Sequence, residues 1–278
     1  MMLHPQTQTI NTALAVDRRR ASTQARVERR AEHVLKPFET WVLPRLARAL
    51  PDWVMPDHLT ALGMFAALCT GFCLSQAGRD AAFLWAANAF LVLHWFGDSL
   101  DGTLARERKI ERPRYGFYLD HLMDMLSVAA IFVGFGLSPH LSFSVALTMI
   151  IAYYLIAIHA HLQLKTLGVY EIAVGGVGPT EARLFLMLCN AALALDLVPV
   201  LSVSGVELAA LDPVALALAA SMLGLAGTRS LSNLRTLARL EPSGTPCMAP
   251  ARAPSMPKSK ISARFPDREL RARLYITR

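Results

Sequence analysis

Cysteine is scarce in this 278-residue chain: four occur, and none belongs to a Cys-x-x-Cys pair. Cys69 and Cys73 share one apolar run, Cys189 lies in another and Cys247 in a Pro-rich tail. No disulfide framework and no cysteine metal site is expected. Charge is sparse too, at 18% of residues against 54% hydrophobic, which excludes an ordinary soluble domain of this size. What remains is an all-α polytopic membrane protein with one membrane domain. No internal repeat is visible. The first 30 residues hold many arginines and only the short apolar patch Ala13-Leu14-Ala15-Val16, so a cleavable signal peptide is not expected. The net charge of +7 is explained by cytoplasmic Lys and Arg of a membrane-anchored chain, and no nucleic-acid partner is expected.

What is present divides the chain into four parts. Residues 1–33 are polar and Arg-rich and read as a disordered tail or a segment on anionic lipid. Residues 34–50 alternate Leu35, Phe38, Trp41, Val42 and Leu46 with Lys36, Arg45 and Arg48, the pattern of an interfacial amphipathic segment. Residues 51–230 form the membrane domain. Six apolar stretches, at about 58–77, 81–105, 116–137, 141–164, 179–199 and 208–229, each approach the ~20 residues that cross a bilayer. Residues 231–278 are Pro-rich, then basic, and are expected to be disordered. Positive residues set the orientation. Arg106, Arg108, Lys109, Arg112, Arg114, Lys165, Arg183 and the tail from Arg229 lie on one side, with only Arg79 opposite. Both termini and the 106–114 loop are therefore predicted to be cytoplasmic.

Four carboxylates stand out against this apolar background. A charged side chain at membrane depth costs roughly 2.5–3.5 kcal/mol, so Asp98, Asp101, Asp120 and Asp124 mark a functional site. Asp98 and Asp101 are spaced i, i+3 and Asp120 and Asp124 i, i+4, so each pair shares one helix face. Gly102, Ala105 and Gly116 place small residues on the same faces, where backbone can approach a ligand. Four converging acids repel unless cations neutralise them, and two divalent ions would balance four charges. Two such ions about 3.5–4 Å apart suit in-line displacement at phosphorus.

Asp98-Ser-Leu-Asp-Gly-Thr-Leu-Ala-Arg106, nine further residues, then Gly116-Phe-Tyr-Leu-Asp-His-Leu-Met-Asp124, resembles the signature of the CDP-alcohol phosphotransferase family, Asp-x2-Asp-Gly-x2-Ala-Arg-x8-Gly-x3-Asp-x3-Asp. Eight fixed positions at residue frequencies of roughly 5–8% coincide by chance about once in 10¹⁰ starting points. The linker holds nine residues where the family usually has eight, which leaves the shape of that loop open.

The resemblance implies an enzyme of phospholipid biosynthesis. It would transfer a substituted phosphate from a CDP-linked alcohol to a second alcohol and release CMP, using two Mg²⁺ or Mn²⁺ ions. It implies Asp98, Asp101 and Asp120 as metal ligands, with Asp124 as the general base that also touches a metal. Gly102, Ala105, Arg106, Gly116 and Thr60 would adjoin the nucleotide and its phosphates. It also implies a homodimer in the bilayer, with at least one lipid among donor and acceptor. Pro56-Asp57-His58-Leu59-Thr60 resembles the family's Pro-Asn-x-Leu-Thr, with Asp57 in place of Asn. The Gly-Pro-Thr-Glu run at 178–181, Asp120-His121 and Pro51-Asp52-Trp53-Val54 resemble the ethanolamine and choline branch. They favour CDP-choline or CDP-ethanolamine with diacylglycerol over CDP-diacylglycerol with a small polar alcohol. Glu181 and Arg183 are candidates for the acceptor or head-group site, or else a helix-start acid and a snorkelling cation. His94, one turn before Asp98, is a candidate partner for a ligand. His159 and His161 point to different faces, so at most one lines the site. The rival reading is a divalent-cation transport site, because intramembrane acids also mark ion pathways.

Overall fold

The computed structural model describes residues 28–29, 34–170, 178–198, 201–203 and 206–241, with side chains over 34–168, 178–198 and 209–241. Among the described residues seven helices carry the fold: α1 (Lys36–Ala49), α2 (Pro56–Ser75), α3 (Ala82–Glu107), α4 (Pro113–Gly136), α5 (Phe143–Leu167), α6 (Pro179–Ala194) and α7 (Asp212–Leu240). Helices α2 to α7 fall on the six apolar stretches read from the sequence. Strands among the described residues are two- and three-residue pairings, β1 (Glu28–Arg29) with β2 (Val169–Tyr170) and β3 (Leu201–Val203) with β4 (Val206–Leu208). Glu28 and Arg29 thus pair although they lie in the expected polar tail. The remainder of that tail and residues 242–278 lie outside the described residues, as does Cys247. By contact, the chain divides within α7 into units ending at Asn233 and beginning at Leu234.

Among the described residues four helices, α2, α4, α5 and α7, are long and apolar enough to cross a membrane. They are coated with exposed apolar side chains such as Phe65, Leu68 and Phe72 on α2 and Ile151, Leu155 and Ile158 on α5. In water such a surface would aggregate; in a bilayer it is solvated.

Lipid tails solvate Leu as well as a protein core does, so association in the membrane depends on close packing and interhelical hydrogen bonds. Helix α2 supplies the first. It packs along both α3 and α4, and glycines let the backbones touch. A Cβ added to Gly97 of α3 would lie 2.6 Å from Gly63 N and Leu59 O, and one on Gly134 of α4 would lie 2.0 Å from the Gly71 carbonyl oxygen. Hydrogen bonds between α3 and α6 supply the second. Asn88 donates to the Met187 carbonyl (3.0 Å) and accepts from Asn190 (2.9 Å). Each such bond contributes about 0.6 kcal/mol by membrane-protein averages. Asp212, 3% exposed, closes the opposite end. It accepts from the Ser142 amide (2.8 Å) and hydroxyl (2.5 Å), joining the start of α7 to the start of α5. Gly134→Ala should therefore force α2 and α4 apart and cost about 1–3 kcal/mol or more. A thermal midpoint in detergent equal to that of the wild type would contradict this reading of the crossing.

Helix α1 coincides with the predicted amphipathic segment. It buries Leu43 and Ala47 against Val54, Leu59, Leu100 and Leu104, and leaves Phe38 and Trp41 exposed among Lys36, Arg45 and Arg48. Phe38 stacks on Trp95 of α3 at 6.5 Å, and the Arg45 guanidinium lies 4.3 Å from the Trp41 ring centre.

Candidate active site at the aspartate motif

The motif falls where α3 ends and α4 begins. Pro113 in the first turn of α4 restarts the helix, its missing N–H costing nothing there. Between the helices Lys109 adopts a left-handed backbone (φ 56°), and the nine-residue linker is accommodated in this turn. Arg108 then fixes it. Its guanidinium donates to the carbonyls of Leu50 (3.1 Å), Pro51 (2.9 Å), Asp52 (3.2 Å) and Val54 (2.5 Å). Asp57 at the start of α2 pairs with Arg112, and Arg48 of α1 lies 3.6 Å from Glu107. The loop is thereby tied to the α1–α2 connection.

Asp98 of α3 meets Asp120 and Asp124 of α4, each offering one carboxylate oxygen with all three atoms within 4.8 Å of one another. This set, all oxygen and no sulfur, fits a hard divalent cation such as Mg²⁺ or Mn²⁺. Asp101 lies outside that group of three. Its carboxylate accepts from the Thr60 hydroxyl (2.6 Å), which turns it toward α2, and from the Gly102 amide (2.5 Å) of its own helix. Thr60, expected beside the nucleotide, is thus a partner of the motif itself. Gly102 has space beside it, since an added Cβ would meet only the flexible Arg106 guanidinium at 3.3 Å, and around Gly116 nothing lies within 4 Å. Arg106 donates to Thr103 (3.0 Å), and Ala105 is half-buried on the same helix.

Arg183 is turned inward, toward Asp98. A snorkelling side chain would reach for water, yet this one is only 11% exposed and ion-paired with Asp98, itself 22% exposed. Glu181 behaves as a helix-start acid, and more. Its carboxylate accepts from the Gly178 amide (3.0 Å), capping α6, and from the Leu35 amide (2.7 Å) at the start of α1. Thr180 adds a hydrogen bond to Glu39, so α1 is docked on the helix that carries Arg183. Residues 175–177 of that polar run lie outside the described residues.

The histidines divide as their spacing suggested. His161 stands edge-on to His121 at 4.8 Å, next to Phe117, and His121 Nδ1 lies 3.6 Å from Asp120. His159 faces the other way, to Ser230 (3.0 Å) on α7. His94 is buried one turn before Asp98, and its Nδ1 has no hydrogen-bond partner among the described residues. Sequence reasoning missed the Arg108 clamp, the Arg183–Asp98 pair and the His121–His161 contact, because all three join positions distant in sequence.

Comparison with known proteins agrees with the geometry. Over 104 residues the chain is 31% identical to a phosphatidylinositol phosphate synthase of Streptomyces avermitilis, a stretch amounting to 37% of this chain and 38% of that relative. The family model for CDP-alcohol phosphatidyltransferase matches residues 53–226, which include all four motif aspartates, Thr60 and Arg183. With that match across most of its length, the chain belongs to the CDP-alcohol phosphatidyltransferase family, whose members are transferases of substituted phosphate groups.

Proposed function

We propose that this protein is a membrane-embedded enzyme of phospholipid biosynthesis. It moves a substituted phosphate from a CDP-linked alcohol to the hydroxyl of a second alcohol and releases CMP. The convergence of Asp98, Asp120 and Asp124 from two helices of the family-matched region carries this reading. Asp98, Asp101, Asp120 and Asp124 would hold two Mg²⁺ or Mn²⁺ ions, which neutralise the pyrophosphate and polarise the phosphorus under attack. Asp124 takes the proton from the acceptor hydroxyl. The acceptor oxygen forms the new P–O bond, the pyrophosphate P–O bond breaks, and CMP leaves with that electron pair. Gly102, Ala105 and Gly116 leave room for the nucleotide, Arg106 offers charge to its phosphates, and Thr60 orients Asp101. CMP release by purified protein in vesicles, across a panel of CDP-linked donors and alcohols, tests the reading; no CMP with any pair would sink it.

Two donor classes stay in view. The short resemblances at 51–54, 120–121 and 178–181 favour CDP-choline or CDP-ethanolamine. The relative's printed name, a phosphatidylinositol phosphate synthase, supports a transferred phosphatidyl group and so CDP-diacylglycerol with a polar alcohol. The same panel decides between them.

Arg183 and Glu181 belong to the head-group side of the site in this proposal. Arg183→Ala should raise the apparent KM for one substrate by about tenfold or more while leaving the metal requirement intact. Unchanged kinetics for both substrates would confine Arg183 to a structural part.

The proposal includes six spans, α2 to α7, with α1 lying in the interface and a homodimer as the family implies. It also includes a cytoplasmic motif and termini, from the one-sided Lys and Arg. Labelling of single cysteines placed in the 106–114 loop should need access from the cytoplasmic face. Labelling from the opposite face alone would overturn this topology.

A further inference from the structure

We infer that Arg183 is an exchangeable counter-ion of the aspartate site: its guanidinium holds Asp98 when no divalent cation is bound, and a cation displaces it. The inference rests on reading Asp98, Asp120 and Asp124 as metal ligands. Three carboxylates with oxygens within 4.8 Å of one another cannot all stay ionised in an apolar setting without a cation. Arg183 supplies one. Its side chain is 11% exposed and pairs with Asp98 across 85 positions of sequence. An Arg there is not a surface ornament, because a buried charge that loses its partner is strongly destabilising.

The same pairing makes Arg183 a competitor for the metal. A Mg²⁺ or Mn²⁺ ion demands carboxylate oxygens at about 2.0–2.1 Å in a near-octahedral arrangement. The Asp98 oxygen that now accepts the Arg183 N–H lies in direct contact with a positive charge. The ion and the guanidinium compete for the charge of that carboxylate, so in this proposal metal loading weakens the Arg183–Asp98 pair and releases the guanidinium. Helix α6 allows this while staying in place. Its start is fastened by Glu181 to the Gly178 and Leu35 amides and by Thr180 to Glu39, and farther along Asn190 donates to Asn88. Only the Arg183 side chain needs to swing. Once free, a buried guanidinium seeks an anion, and the phosphates of an arriving donor are the anions this site is proposed to receive.

The test is Mn²⁺ binding, read by electron paramagnetic resonance on the full chain in nanodiscs with no nucleotide or lipid substrate added. Arg183→Gln removes the competing charge and should tighten Mn²⁺ binding by about 5- to 150-fold, the usual span of a coupling between two sites. Arg183→Lys keeps the charge and should stay near the wild-type affinity. Equal or weaker Mn²⁺ binding by Arg183→Gln would overturn the exchange. Absence of Mn²⁺ binding to every form would overturn the metal-site reading and the exchange with it, whereas equal binding leaves that reading intact. Should Arg183→Gln fail to fold, wild-type structures with Mn²⁺ and with chelator decide. The Arg183–Asp98 separation should exceed about 4 Å, the limit of an ion pair, only with Mn²⁺, and an unbroken pair with Mn²⁺ bound would overturn the proposal.

Discussion

Asp124→Asn should lower CMP release by about 10²–10⁴-fold, the usual range for loss of a general base, while metal and CDP-donor binding persist. Asn keeps the shape of Asp but cannot take a proton. Asp124 is suited to that task by position. It lies one helical turn beyond Asp120 and within 4.8 Å of ligand atoms of Asp98 and Asp120, so it can hold an acceptor hydroxyl beside the phosphorus. Asp98→Asn and Asp120→Asn should fail differently, losing metal affinity and donor affinity together. Asp101→Asn should do the same and also weaken the hydrogen bond from Thr60. Measuring Mn²⁺ binding, donor binding and CMP release on all four variants separates base from ligand. Near-wild-type turnover by Asp124→Asn would mean that another group takes the proton.

Chelation should have the largest effect of all. With excess EDTA, CMP release should fall to background and return on adding Mg²⁺ or Mn²⁺. The reason is electrostatic. Asp98, Asp120 and Asp124 crowd together with Arg183 as their paired cation, and a pyrophosphate adds further negative charge. One guanidinium cannot balance that sum, and unscreened like charges at 4 Å repel by about 4 kcal/mol even at an effective dielectric of 20. Divalent cations held by these aspartates would remove the repulsion. Undiminished turnover in EDTA would contradict the proposed metal chemistry.

How far the residues alone carried this picture varied with the range of the interactions. Helix positions were legible because apolar length is a local property. The stretches read at 58–77 and 116–137 became α2 (Pro56–Ser75) and α4 (Pro113–Gly136). That Asp98 and Asp101 share one face of their helix, and Asp120 and Asp124 one face of theirs, was legible because spacing on a helix fixes it. The Asp101–Thr60 bond was not, since it depends on how α2 crosses α3, where Gly63 meets Gly97, and it joins residues 41 positions apart. Arg183 was read without its partner Asp98 for a similar reason. Its partner lies on α3, and no local pattern on α6 announces it. Glu181 was read as a helix-start acid and is one, but its second bond, to the Leu35 amide, needed the docking of α1. The family signature compensated for this blindness at the four aspartates and nowhere else.

The most direct measurement is a paired assay on one preparation of vesicles containing the purified protein, Mg²⁺, a CDP-linked donor and an alcohol acceptor. CMP and newly formed lipid are counted together with divalent-cation uptake. The account predicts one CMP per new lipid, no cation uptake above that of protein-free vesicles, and loss of both products in Asp98→Asn. Cation uptake that depends on Asp98, with no CMP from any donor, would contradict it and favour a transport site.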